Sequence, residues 1–330
     1  MSAHQPSLGE IEAAADIVHA AMPPTPQYCW PLLCERLGTE LWVKHENHTP
    51  AGAFKIRGGL VYFAHLPREQ QSRGVIAATR GNHGQSVAIG AQRIGVRATL
   101  VVPHGNSVEK NAAMRGFGAE LLEYGDDFQA ALEHAQALAA ERGLLMVPSF
   151  HPLLVAGVAS YGLELFRAVQ AVDTVYVPIG LGSGVCATIA VRDALGLATE
   201  VVGVVSAHAR AYAESFARRV AVDAPVSTRL ADGMACRTPN RDALEVIWRG
   251  VDRVVEVDDD EVAEAMRVIF ECTHNVAEGA GAAPFAAAMR ERDRVAGKRV
   301  AIVLSGGNVD RDMFAGVISQ RDRSSAASGA

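Results

Sequence analysis

The sequence has no apolar run approaching the roughly 18 residues that a membrane-spanning helix needs. Its opening, Met1-Ser2-Ala3-His4-Gln5, lacks the basic and apolar regions of a secretory signal. No membrane partner is therefore expected. Cysteine is sparse: five, at 29, 34, 186, 236 and 272, with no C-x-x-C pair. That argues against a disulfide framework and a zinc ribbon, and a reducing cytoplasm is the expected location. Positive charge is in deficit, with 31 Lys+Arg against 37 Asp+Glu and a net charge of −6. A non-specific nucleic-acid binder needs a basic face, so that class is set aside. There is no internal repeat, no low-complexity linker and no Gly-Lys-Ser/Thr phosphate loop.

What is present is core-forming material. The 330 residues are 49% hydrophobic and 21% charged, enough for about two ordinary domains or one large α/β unit. Short runs rich in Val and Ile stand at 41–44, 75–79, 98–102, 119–123, 144–147, 174–178, 201–206, 253–257 and 300–304. They mostly do not alternate with polar residues, as suits parallel strands covered on both faces. Helical periods fill 86–94, 128–141, 155–169, 187–195, 259–272 and 282–296. This rhythm predicts an open α/β architecture with sites at the carboxyl ends of strands.

Glycine clusters where those strands end. Ile179-Gly180-Leu181-Gly182-Ser183-Gly184-Val185 runs from a strand into a helical pattern. Its backbone N–H groups can form an anion nest suited to phosphate, although a bare strand–helix turn would look the same. Val185 stands where a dinucleotide fingerprint needs its third glycine. Thr79-Arg80-Gly81-Asn82-His83-Gly84 ends a second strand; it could hold a carboxylate or a ring hydroxyl, or simply cap a helix. Ser305-Gly306-Gly307-Asn308 ends a third. Lys55 follows a Gly/Pro-rich turn and opens a helix, where the dipole disfavours an ammonium. A lysine of lowered pKa is what an imine-forming nucleophile requires, but a solvated cation is the ordinary fate of a lysine. His45, Glu46 and His48 lack the spacing of a metal motif and read as polar residues at a strand end.

These segments, in this order, resemble the pyridoxal-phosphate enzymes of the tryptophan-synthase-β fold (fold type II), and within them the serine/threonine dehydratases and serine racemases. The resemblance runs from about residue 11 to 310. It is carried by Lys44-x-Glu46, Gly52-Ala53-Phe54-Lys55-Ile56-Arg57-Gly58, Gly81-Asn82-His83-Gly84-Gln85, the glycine loop, Ala231-Asp232-Gly233, Glu278-Gly279-Ala280-Gly281 and Leu304-Ser305-Gly306-Gly307-Asn308. It implies a two-domain α/β fold with open, mostly parallel twisted sheets flanked by helices. A large cofactor domain would comprise 1–47 and 152–320, a small mobile domain 48–151, and a disordered tail 321–330. It implies pyridoxal 5'-phosphate as cofactor, a homodimer, and elimination of water from a β-hydroxy-α-amino acid to give a 2-oxo acid and ammonia. Threonine or serine is the default substrate, with 3-hydroxyaspartate or a bulkier 3-hydroxy amino acid as alternatives. Lys55 would be the imine-forming lysine and base, with Phe54 beside the ring and Asn82 on the ring oxygen. Gly180, Leu181, Gly182, Ser183 and Gly184 would cradle the phosphate. Gly233 and Glu278 would line the site, and Ser305 would face the pyridine nitrogen, where a neutral hydroxyl favours prompt loss of a β-leaving group. Thr79, Arg80, Gly81, Asn82 and His83 would receive the substrate.

Departures from the pattern matter as much. Arg80 stands where serine racemases carry a second acid/base serine, and a guanidinium that stays charged is a poor proton shuttle. Racemisation is therefore the lesser alternative, alongside β-replacement. Arg80 either faces solvent or pairs with a substrate carboxylate. Ser206, Arg210 and Tyr212 fall near the family's metal positions without supplying its ligands, so no metal site is expected. The chain ends soon after the Ser305 motif, and no regulatory domain is expected.

Overall fold

The computed structural model describes residues 5–320; the tail expected at 321–330 lies outside them. Its strands are β1 Gln27–Cys29, β2 Glu40–His45, β3 Val75–Ala78, β4 Ala98–Val102, β5 Glu120–Glu123, β6 Leu145–Met146, β7 Thr174–Pro178, β8 Glu200–Ser206, β9 Arg253–Val257 and β10 Arg299–Leu304. They form a six-stranded sheet in the order β1-β2-β10-β7-β8-β9 and a four-stranded sheet in the order β5-β4-β3-β6. Only β1 runs antiparallel to its neighbour.

Successive residues of a strand point to opposite faces, and here both faces are covered. Val175, Val177, Val201, Val205, Ala301 and Val303 join one core cluster, while Tyr176, Val202, Val204, Val300, Ile302 and Leu304 join another. The small sheet repeats the arrangement, with Val75, Ala77, Leu100 and Val102 on one side and Ile76, Ala78 and Val101 on the other. That double coverage is why these runs read as continuously apolar.

The helices are α1 Leu8–His19, α2 Pro31–Leu37, α3 Lys55–Ala64, α4 Arg68–Gln71, α5 Asn82–Arg93, α6 Val108–Gly116, α7 Phe128–Arg142, α8 Pro152–Ala168, α9 Ser183–Ala194, α10 Ala211–Arg218, α11 Arg241–Gly250, α12 Asp259–Thr273, α13 Gly279–Arg290, α14 Arg292–Val295 and α15 Arg311–Ile318. Their ends follow local chemistry. Asp258 and Glu261 form a reciprocal capping box on α12. Asp127 caps α7, and Gly143 closes it in the left-handed region at φ +66°.

Two sequence expectations change. The helical period over 282–296 is two helices, because Glu291 leaves helical geometry (φ −101°, ψ 18°). Its carboxylate is drawn to Arg253, with Nη2 at 2.7 Å, and to the Tyr176 hydroxyl at 2.6 Å. Strand β1 has no sequence counterpart: it is three residues long with Tyr28 exposed, too short to show a period.

Candidate active site

Strands β2, β7 and β10 run parallel, so their carboxyl ends open on one edge of the large sheet. The turn after β2 carries Lys55. Gly52 sits at φ +66°, and the Thr49 hydroxyl both accepts from Ala53 N and donates to Ala53 O, each at 2.9 Å. Ala53 bridges Gly306, and Phe54 N donates to the Ser305 carbonyl at 3.0 Å. The lysine's turn is thereby stitched to the end of β10. Ser305 itself is buried.

Lys55 is the first residue of α3. Its Nζ donates to Ser183 Oγ at 2.8 Å and lies 4.8 Å from the centre of the Phe54 ring. Burial pulls its pKa from 10.5 down to about 8. Desolvation, rather than the helix dipole, is the cause the surroundings supply.

The glycine loop after β7 meets this amine. A Cβ on Gly180 would stand 2.4 Å from the Gly233 carbonyl oxygen, and Gly182 has φ +96°. Neither position admits a side chain without strain. Two buried tyrosines hold the loop from behind: Tyr212 donates to Leu181 O at 3.0 Å and Tyr161 to Gly184 O at 2.9 Å. The first-turn amides of α9 have no intrahelical acceptor and face an anion well.

The opposite wall comes from the small sheet. Thr79 Oγ1 accepts from Gly81 N at 3.0 Å and Gly84 N at 2.9 Å. Gly81 is packed against Lys110, whose Cδ would lie 2.4 Å from an added Cβ. Asn82 Nδ2 donates to Glu278 Oε1 at 2.7 Å, and Asn308 Nδ2 donates to Asn82 Oδ1 at 2.9 Å. Lys110 Nζ lies 2.7 Å from Asp232 Oδ2 and, at ion-pair distance, 3.5 Å from Glu278 Oε2. Burial pushes the Glu278 carboxyl up to about 7 despite the pull of Lys110. Burial, reinforced by Lys55, holds the His83 imidazole down at about 3, so the ring is neutral near pH 7.

Most residues expected from sequence thus form one connected cluster. Arg80 is the exception: it is exposed and makes no hydrogen bond or ion pair among the described residues. Lys110, Asp232 and Asn308 were not foreseen as site residues. Lys110 sits in an ordinary helical stretch, and no spacing rule pointed to it. Elsewhere, Glu46 is paired with Arg57, and His45 Nε2 accepts from Trp30 Nε1 at 2.9 Å. Arg210 is paired with Glu256.

Three buried polar atoms find no hydrogen-bond partner among the described residues: His83 Nε2, Gln85 Nε2 and Glu278 Oε2. Buried groups of this kind are normally satisfied. Together with an amine of lowered pKa and a glycine-walled anion cradle, they fit a phosphorylated aromatic aldehyde.

Comparison with known proteins agrees. The family model described as pyridoxal-phosphate dependent enzyme matches residues 19–306. An L-threonine ammonia-lyase of Thermotoga maritima is 36% identical over 290 residues, covering 88% of this chain and 72% of that protein. A catabolic L-threonine dehydratase of Staphylococcus aureus is 33% identical over 323 residues, covering 96% and 93%. The solved structure of maize serine racemase superposes with a TM-score of 0.89 at 25% identity, covering 94% and 96%.

Proposed function

The chain belongs to the pyridoxal-phosphate-dependent enzymes, and from that premise we propose that it is a dehydratase (ammonia-lyase) of β-hydroxy-α-amino acids. Threonine or serine is the default substrate, and a 2-oxo acid and ammonia are the products. The observation that carries this reading is the 2.8 Å contact between the Lys55 amine and Ser183 at the head of the glycine loop. It sets an amine beside an anion cradle. When bound, pyridoxal 5'-phosphate supplies an electron-withdrawing ring that makes the substrate's Cα proton acidic.

The chain's own residues do the rest. The loop 180–184 would anchor the phosphate, with Phe54 and Gly233 beside the cofactor. Asn82 Nδ2 has a second hydrogen beyond the one given to Glu278, which would be free for the ring oxygen. The buried Ser305 hydroxyl would hydrogen-bond the ring nitrogen without imposing a charge there. Lys55 takes the Cα proton, and a neutral His83 leaves that amine free of a competing cation. Since Thr79 occupies the amides of Gly81 and Gly84, the N–H groups of Asn82 and His83 remain to receive the substrate's α-carboxylate. Residues 48–151 close as a small mobile domain over the remainder and exclude water, with Lys110 reaching Asp232 across the cleft. We take the enzyme to be a cytoplasmic homodimer.

Racemisation is the second reading, supported by the likeness to maize serine racemase. It lacks a second acid/base opposite Lys55, because a guanidinium is a poor proton shuttle and Arg80 is exposed. Product analysis separates the readings: a 2-oxo acid with ammonia, a D-amino acid, or a new bond at Cβ for β-replacement. The panel should include 3-hydroxyaspartate. Where the exposed Arg80 receives a substrate carboxylate, Arg80→Ala should lower kcat/KM by about 10–100-fold, the scale of one charge-assisted contact. A loss confined to the dicarboxylic substrate assigns Arg80 to the side chain; a uniform loss assigns it to the α-carboxylate; no loss places it outside the site.

The cradle has its own test. Gly180→Val is expected to weaken cofactor binding at least about tenfold, because the new side chain must displace the Gly233 carbonyl. Absorbance titration of the apoprotein measures it, and an unchanged affinity would move the phosphate elsewhere.

A further inference from the structure

We infer that Cys29 and Cys34 are a reversible disulfide site, closed by exchange with a small-molecule disulfide of the oxidised-glutathione type. Cys29 ends β1, and Cys34 follows in α2. Their Sγ atoms lie 3.4 Å apart. A disulfide bond is about 2.05 Å long, so closure asks for roughly 1.4 Å of approach, within reach of side-chain rotation. Cys34 Sγ accepts from Leu41 N at 3.3 Å and donates to Leu41 O at 3.7 Å. The thiol is thereby held against β2 with Cys29 beside it.

The place suits exchange. Both cysteines are half-buried, and β1 is an edge strand of the large sheet. Tyr28, just before the pair, and Leu32, between its members, are exposed, so this edge of the sheet faces solvent. The other thiols differ. Cys186 and Cys236 are buried, and Cys272 has no second sulfur within hydrogen-bond distance among the described residues.

The two sulfurs have distinct parts. Burial and the neighbouring Cys34 push the Cys29 thiol up to about 11, while Leu41 N donates to Cys34 Sγ at 3.3 Å and can steady a charge there, so Cys34 is the sulfur placed to attack first. As thiolate it bonds to one sulfur of the reagent RSSR, and the other leaves and is protonated to RSH. Cys29 then gives up its proton and attacks Cys34 Sγ, expelling the second RSH. Two cysteine thiols are oxidised and one small disulfide is reduced to two thiols, with no electrons left over. Trp30 lies beside Cys29 in sequence and donates to His45 Nε2 at 2.9 Å, so an indole next to the pair can report closure.

The test uses the whole protein. No Lys or Arg precedes Arg36, so one tryptic peptide, 1–36, carries both cysteines. After incubation with oxidised glutathione, that peptide should be lighter by two hydrogen atoms, with a matching drop in tryptophan fluorescence. Dithiothreitol should reverse both. In Cys29→Ser the first step succeeds and the second cannot, so a glutathione adduct should persist on Cys34. In Cys34→Ser, modification of Cys29 should be slower than that of Cys34 in Cys29→Ser, because burial still raises the Cys29 thiol. A wild-type peptide 1–36 that keeps two free thiols, holds a stable adduct, or joins a second chain overturns the proposal.

Discussion

Lys55→Ala is expected to lower turnover by at least about 10³-fold, because the proposed mechanism asks one side chain to serve as both nucleophile and base. The amine is prepared by its surroundings. With a pKa of about 8 in place of 10.5, about a tenth of it is uncharged at pH 7, against well under about one in a thousand for an exposed lysine. The rate at which apoprotein captures the cofactor should therefore rise through about pH 8 and level off, without climbing on towards 10.5. The fold should survive the substitution, since the hydrogen bond to Ser183 is the one the side chain loses. Borohydride reduction of the holoenzyme should fix the label on the peptide bearing Lys55. Turnover within about tenfold of wild type, or a label on another lysine, would overturn the assignment.

Arg57→Met is expected to cost about 3–5 kcal/mol of stability, the usual penalty for leaving buried charge without its partner. Arg57 lies two residues beyond the lysine and is fully buried. Its Nε meets Glu46 Oε2 and its Nη1 meets Glu164 Oε1, each at 2.6 Å. Lys44 adds a second cation, 2.5 Å from Glu164 Oε2. Two cations thus face two carboxylates out of water, and removing Arg57 leaves Lys44 alone against both. Because the network braces α3, the same variant should also lose activity. Arg57→Lys keeps the charge but loses the planar fork, so its stability should fall between. Urea unfolding measures both. An Arg57→Met protein within about 1 kcal/mol of wild type would show that the network relaxes.

The same network sets a pH dependence. Burial opposes ionisation of Glu164, but Arg57 and Lys44 outweigh it and hold the carboxyl down at about 2, against 4.5 for the free group. A depressed carboxyl binds its proton more readily when unfolded. Its contribution is therefore full above about pH 4.5 and disappears as pH falls towards 2. The shift corresponds to about 3 kcal/mol. Glu164→Gln should flatten the acid limb of the stability curve over that interval. An acid limb of unchanged steepness would assign acid unfolding to other carboxylates.

The strands that carry the site, and the motifs at their ends, are legible in the chain before it folds. Apolar runs covered on both faces, followed by Gly180-Leu181-Gly182-Ser183-Gly184, Gly81-Asn82-His83-Gly84 or Ser305-Gly306-Gly307, are short-range signals. Backbone conformation and burial obey rules that act over a few residues, so Lys55 could be singled out from its turn and its helix start. The partners of those residues are set by packing. Glu278 is 196 positions from Asn82, Asp232 is 122 from Lys110, and Glu164 is 107 from Arg57. No periodicity encodes such pairs, because they exist only once two sheets and the helices between them have packed. Even Cys29 and Cys34, five residues apart, became neighbours only when β1 added itself to the sheet edge and turned into α2. Local patterns set which way a backbone goes and which side chains leave water; the packing of distant elements sets which charges and thiols then meet.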